Sequence, residues 1–302
     1  MKSSAMLAWL WLASVVVPQG NASSSAAATA SSSAAATAVG DGYRPDRATL
    51  FAHFSNVAYC SPSSIADWSC GPCRTADPAF KAKVFLSNRS GLMQAFVGKA
   101  PNNDIVVAFR GTHDLLDWIY NLNFPEVAEY PKCDGCKVHR GFYEAWQSVQ
   151  DGVVSEVRRL HTASPEARIF VTGHSLGGAV AAHCAAELGA SSHSIGYPIS
   201  GVYTFGQPRV GNAAFAAFYG QGTHVSWRLT HWRDPVPHLP PMAFGFRHLA
   251  TEVYYTQDNA NFTVCDGSGE DPRCSDSHHF DVNVEDHHHY VQPPLRNEID
   301  AC

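Results

Sequence analysis

Gly173-His174-Ser175-Leu176-Gly177 is the segment whose residue types most directly suggest chemistry. It matches G-x-S-x-G, a turn that lifts a serine hydroxyl out at the junction of a strand and a helix. The turn is so sharp that the residues two before and two after the serine must lack side chains, and both are glycine here. The helix that follows would present unpaired N–H groups to a developing oxyanion. Such a serine needs a base, and an acid that orients the base. With this turn, the chain order is serine, then aspartate or glutamate, then histidine. Asp234, in Arg233-Asp234-Pro235-Val236-Pro237, is the preferred acid because it lies just beyond a predicted strand. Asp258 and Asp281, in polar loops, are weaker alternatives. The chain has 16 histidines, so residue type alone identifies no base. Those after Asp234 are His238, His248, His278, His279, His287, His288 and His289. The runs at 278–279 and 287–289 could also bind a metal, but no companion ligand spacing accompanies them. No metal or cofactor is therefore expected.

The elements that would position these residues alternate along the chain. Asp104–Arg110, Ala167–Thr172, Val202–Phe205 and His224–Thr230 are short, apolar and rich in β-branched residues, which predicts buried strands. Trp146, Val149, Val153, Val157 and Leu160 have helical spacing and predict a helix over Tyr143–Leu160. Gly178–Leu188, small and apolar throughout, predicts a buried helix, and Asn212–Tyr219 a short one. This alternation points to an α/β fold with a mostly parallel central sheet flanked by helices.

Composition narrows the rest. Of the 302 residues, 45% are hydrophobic and 16% charged, which excludes a disordered polymer. A net charge of −6 leaves no basic stripe for nucleic acid. No apolar run reaches the roughly 18–20 residues of a membrane span. Lys2, the apolar stretch from Met6 to Val17 and the small residues Gly20-Asn21-Ala22 read as a secretory signal peptide over residues 1–22. Residues 23–39 form a Ser/Ala/Thr leader in which SSSAAATA occurs twice. It has no large side chain with which to build a core. The folding domain is then residues 40–302, in one piece.

Secretion permits disulfides among the nine cysteines. Cys70–Cys73 and Cys133–Cys136 are CxxC pairs in turn-like contexts. They are too far apart for a compact zinc ribbon, so disulfides are preferred. Cys265 and Cys274 bracket a short loop and are expected to pair, and Cys60–Cys302 would tie the domain's start to its end. Cys184 is left as a buried thiol. Asn88 and Asn261 head candidate N-glycosylation sequons.

Several segments together resemble the secreted fungal-type lipases of lipase class 3, the filamentous-fungal triacylglycerol lipases. They are Phe109-Arg110-Gly111-Thr112, Asp117–Phe124 (DWIYNLNF), His139-Arg140-Gly141-Phe142, Thr172–Ala179 (TGHSLGGA), Gln207–Asn212 (QPRVGN), Arg233–Pro241 (RDPVPHLPP) and Asp286-His287. They run through nearly the whole folding domain, from about Phe51 to Cys302. The resemblance implies the α/β-hydrolase fold, Ser175 as nucleophile, Asp234 as acid and His287 as base. The base follows an aspartate and precedes a tyrosine by three positions, as in Asp286-His287-His288-His289-Tyr290. It further implies an oxyanion hole at Thr112 and Leu176, and Tyr59 as a lining of the substrate pocket. The expected disulfides agree with pairs found in the family.

Leu115, Trp118, Ile119 and Leu122 fall at i, i+3, i+4 and i+7, one face of a short helix beginning just after Thr112. The segment matches the lid of the lipases that the chain resembles. Closed, its apolar face would cover Ser175. Open at a lipid surface, it would bury that face and expose a groove where Phe124 and Phe142 contact the acyl chain. The expected substrate is thus a lipid ester at an oil–water or membrane interface, met by a secreted, extracellular monomer. Two rivals remain at this stage. One is an esterase of the same fold acting on feruloyl or aryl esters, and the other is a catalytically inactive secreted binding protein.

Overall fold

A computed structural model of the protein describes residues 42–87, 93–112, 127–189, 196–222, 225–278, 281–290 and 302. The expected signal peptide and leader, the lid residues Leu115, Trp118, Ile119 and Leu122, Phe124, Asn88 and His279 lie outside these. The described strands are β1 (Lys81–Leu86), β2 (Gln94–Lys99), β3 (Ile105–Phe109), β4 (Val127–Glu129), β5 (Lys137–His139), β6 (Ile169–His174), β7 (Ile199–Phe205), β8 (Gly211–Asn212), β9 (Ser226–His231), β10 (Phe246–Arg247), β11 (Glu252–Tyr255) and β12 (Phe262–Val264).

Eight of them form one sheet in the order β1-β2-β3-β6-β7-β9-β11-β12. Its centre, from β3 through β6, β7 and β9 to β11, is parallel. The edges β1-β2-β3 and β11-β12 are antiparallel. Strands β10, β8, β5 and β4 form a small second sheet. This is the α/β-hydrolase architecture, a mostly parallel sheet between helical layers.

Side chains of β3 show why these strands read as unbroken apolar runs. Ile105, Val107 and Phe109 enter the core on one face, with Trp146, Val157 and Ala181. Val106 and Ala108 enter the core on the other, with Phe51, Phe54 and Phe170. A strand buried on both faces has no polar side to alternate.

The expected helix over Tyr143–Leu160 is two helices, Arg140–Gln147 and Gln150–Ala163. Ser148 Oγ donates to the Ala145 carbonyl at 2.7 Å, a local bond that competes with helix continuation. Apolar spacing alone did not register the break, because Trp146 and Val149 are buried on either side of it. The helix Leu176–Leu188 begins immediately after Ser175. Helix Pro45–Val57 and the antiparallel edge strands carried no signal strong enough to be read beforehand. Four disulfides close as expected: Cys60–Cys302, Cys70–Cys73, Cys133–Cys136 and Cys265–Cys274. Cys184 is a buried free thiol.

Beneath the β9–β11 end lies a buried ion pair, Arg228 Nη2 to Glu252 Oε2 at 2.9 Å. Glu252 also accepts from Thr230 Oγ1 at 2.6 Å and the Ser275 N–H at 3.0 Å. Removing one partner of such a pair strands the other charge in the interior. Glu252→Ala should therefore lower the unfolding free energy by about 3–5 kcal/mol. Urea melts of the parent and variant check this, and a midpoint unchanged by the substitution would count against it.

Candidate active site

Ser175 is placed by the end of β6 and the start of the helix Leu176–Leu188. Its backbone has φ 60° and ψ −130°, which side-chain-bearing residues rarely adopt. The flanking glycines make this turn possible. A Cβ at Gly173 would lie 2.3 Å from the Gly177 carbonyl oxygen, and one at Gly177 would lie 2.3 Å from that of Phe109. The Ser175 N–H is tied to the Phe205 carbonyl at 2.8 Å. Ser175 Oγ is buried with no hydrogen-bond partner among the described residues.

Thr112 follows β3, the strand beside β6. A Cβ at the preceding Gly111 would sit 3.1 Å from Ser175 Cβ, so this backbone runs directly alongside the serine. Leu176 is the first residue of the helix behind Ser175, where backbone N–H groups have no partner within the helix. The two expected oxyanion residues thus flank Ser175.

Asp234 lies in the turn after β9, 2% exposed. Its Oδ1 accepts the Val236 N–H at 2.8 Å. Its Oδ2 is 2.8 Å from His287 Nδ1 and accepts from the Tyr290 hydroxyl at 2.5 Å. Burial alone would raise this carboxyl's pKa. The His287 charge and hydrogen bond, the Tyr290 hydroxyl and the Val236 N–H outweigh it and hold the group below its ordinary value. Tyr290 moves the opposite way: burial and then the Asp234 charge push it well above the ordinary phenol range. It therefore remains a donor.

His287 sits on the short turn Val284–His288. With Nδ1 held by Asp234, its Nε2 is buried and has no hydrogen-bond partner among the described residues. The ring lies against Gly206, after β7, where φ is +57° and a Cβ would come within 2.6 Å of His287 Cε1. Thr112, Ser175, Gly206 and Asp234 follow the carboxyl ends of the parallel strands β3, β6, β7 and β9, the usual place for a site in such sheets. The arrangement can run an acyl transfer: a hydroxyl on a strained turn, an imidazole fixed by a carboxylate, and backbone donors for an oxyanion.

Other candidates have different places. His288 is half-buried beside His287, and His289 Nδ1 bonds the Glu285 carbonyl at 2.7 Å. Asp258 is exposed and bonds Thr256 and the Ala260 N–H. Asp281 is exposed and contacts His278. Phe142 belongs to the packed core and stacks on His139, with ring centroids 4.1 Å apart. Tyr59 is buried and its hydroxyl is 2.8 Å from His174 Nδ1. Both aromatic rings are buried, Tyr59 5% and Phe142 1% exposed. Asn261 is exposed just before β12. Sequence reasoning assigned no role to Tyr290 beyond marking the position of His287, nor any to His174, whose place inside the motif was the available signal.

Residues 106–244 match the family model described as Lipase (class 3). The chain is 36% identical over 237 residues to secreted mono- and diacylglycerol lipase 1 of Fusarium solani, covering 72% of this chain and 68% of that one. It is 37% identical over 247 residues to a lipase of Rhizomucor miehei, covering 80% and 67%. A solved triacylglycerol lipase whose catalytic centre is described as a serine protease triad superposes with a TM-score of 0.75. That match has 32% identity and covers 83% of this chain and 96% of the other.

A carboxyl whose folded pKa is depressed contributes stability above its unfolded value, about 3.9, and loses it as pH falls through the folded value. Tyr290→Phe removes a hydrogen bond to that charged form, worth about 1.5–3 kcal/mol. The variant should be less stable by about that amount at pH 7, with the gap narrowing below about pH 4. Urea titrations at both pH values measure it, and a pH-independent gap would contradict the account.

Proposed function

The chain belongs to the class 3 lipases, and from that membership we propose that Ser175, Asp234 and His287 hydrolyse fatty-acyl glycerol esters through an acyl-serine. The observation that carries this reading is a strained-turn serine whose N–H is tied to Phe205, next to Gly206, against which lies the ring of a buried His287–Asp234 pair. Ser175 Oγ attacks the ester carbonyl carbon while His287 Nε2 takes the hydroxyl proton. The tetrahedral oxygen lies on the N–H groups of Thr112 and Leu176. As the intermediate collapses, His287 returns the proton to the glycerol oxygen, which leaves. Water then attacks the acyl-serine, His287 takes a water proton, and Ser175 is reprotonated as the fatty acid departs. Asp234 holds the imidazole tautomer and stabilises the imidazolium throughout.

The enzyme is secreted and meets its substrate at a lipid–water interface. The secreted name of the Fusarium solani relative and the signal-like N-terminus support the first statement. The apolar face of Leu115, Trp118, Ile119 and Leu122 supports the second, as a lid that gains about 25 cal/mol per Å² of apolar area buried in lipid. No described helix is long and apolar enough to cross a membrane.

Ser175→Ala and His287→Ala should each fold normally and lose several orders of magnitude in ester turnover, while His288→Ala and His289→Ala stay largely active. Turnover of a p-nitrophenyl ester, with and without a serine-directed organophosphate, measures this. Parent-like activity in Ser175→Ala would sink the assignment.

The lid is tested separately by the rate on tributyrin through its solubility limit. A jump at the limit that weakens in Trp118→Ala or Leu115→Asp is expected. Plain saturation below the limit, with faster turnover of feruloyl esters, would favour the soluble esterase.

A further inference from the structure

The side chain of His287 is aimed by Asp234, but its backbone is held by two other histidines. His174 Nε2 lies 2.8 Å from the carbonyl oxygen of His287. His231 Nδ1 lies 2.8 Å from the carbonyl oxygen of Asp286. These two carbonyls belong to the two peptide planes on either side of the His287 Cα. Fixing both planes fixes both soft backbone torsions of that residue.

A carbonyl oxygen only accepts, so each imidazole must donate. His174 is 2% exposed, and burial, followed by the neighbouring His287 charge, pushes its pKa well below the ordinary histidine value. It is neutral and carries one N–H, on Nε2, while Nδ1 accepts the Tyr59 hydroxyl at 2.8 Å. His231, at the end of β9, is 1% exposed; both its nitrogens face carbonyls, Nδ1 that of Asp286 at 2.8 Å and Nε2 that of Gln257 at 3.2 Å, and the shorter contact is the one the clamp uses. The ring of Tyr290 packs edge-on to both, at 5.8 Å from His174 and 5.9 Å from His231. These contacts come from β6 and β9, the strands that also deliver Ser175 and Asp234.

We propose that His174 and His231 are positioning residues of the hydrolysis, clamping the two peptides that flank the base so that His287 Nε2 is directed at Ser175. The proposal rests on the acyl-serine reading above and deepens it. Neither histidine reaches the reacting atoms. Each acts through the backbone of His287, so its loss should show in kcat with KM little changed. A displacement of about 1 Å at a reacting group costs about 10²-fold in rate.

Amide side chains test this by geometry. The amide nitrogen of glutamine overlays imidazole Nε2, and that of asparagine overlays Nδ1. At position 174 the clamp uses Nε2, and at 231 it uses Nδ1. The expected order is therefore crossed. His174→Gln and His231→Asn keep kcat within about tenfold of the parent, whereas His174→Asn and His231→Gln lose about 10²-fold, all with KM unchanged. The readouts are kcat and KM on a soluble p-nitrophenyl ester, with thermal melts of every variant. The pair at 231 reads the second peptide independently, whether or not the pair at 174 folds.

Equal kcat for both amides at each position, a reversed order, or losses confined to KM would overturn the clamp. His287→Ala is measured alongside. Full activity there overturns the acyl-serine reading and the clamp with it, while an inert His287→Ala without the crossed order overturns the clamp alone.

Discussion

The backbone of Ser175 sits where almost no side-chain-bearing residue is comfortable, and the surrounding structure exists in large part to keep it there. Conformations of this kind cost on the order of 1–3 kcal/mol and persist only when their surroundings overdetermine them. Here the restraint comes from three directions. The strand behind it is locked into the sheet between β3 and β7. Its N–H is held by the Phe205 carbonyl. The helix ahead of it is so rich in Ala and Gly that it presses close against the sheet, buried along nearly its whole length. A larger residue on that helix would push it away from the sheet and let the turn relax.

The second requirement is a charge held out of water. An ionised carboxylate in an interior is costly unless donors surround it. Asp234 receives a backbone N–H, a phenol and an imidazole. The loop that carries it is itself secured by buried arginine. Arg209 donates to the His238 carbonyl at 2.7 Å and forms a bidentate pair with Glu270, while Arg228 joins Glu252 and the Gly269 carbonyl. The segment 265–274, closed by its disulfide, is thereby fastened beneath the acid's turn. Each of these arginines faces a carboxylate within the protein, so they orient the loop without leaving a free charge inside.

Much of this was legible from the residues because it is local. Five residues define the nucleophile turn, and the glycine at 173 is required by contact with Gly177 inside it, while the one at 177 makes room for Phe109 of β3. The central strands were legible because burial on both faces leaves unbroken β-branched runs. The CxxC disulfides close over a few residues, and the remaining pairs followed by proximity and elimination. Asp234 was placed by its position after a strand, which in a parallel sheet is enough to bring it to the same edge as Ser175.

Tertiary structure decided what depends on contacts between distant segments. Three consecutive histidines offer the same chemistry, and only the register of the family resemblance, a histidine after an aspartate and three before a tyrosine, favoured His287 among them. His287 is distinguished because the turn at 284–288 points its ring, and not its neighbours', at an aspartate 53 residues earlier in the chain. Tyr59 and Phe142 are aromatic in any reading of the sequence, and only packing shows that one is bonded to His174 and the other stacks in the core. The break between helices Arg140–Gln147 and Gln150–Ala163 was hidden because burial continues across it. Local sequence determined the nucleophile, the strands and the chemistry on offer, since short-range sterics suffice for those. The aim of the base's ring needed the fold, because it is set by hydrogen bonds that exist only after β6, β9 and the C-terminal turn have met.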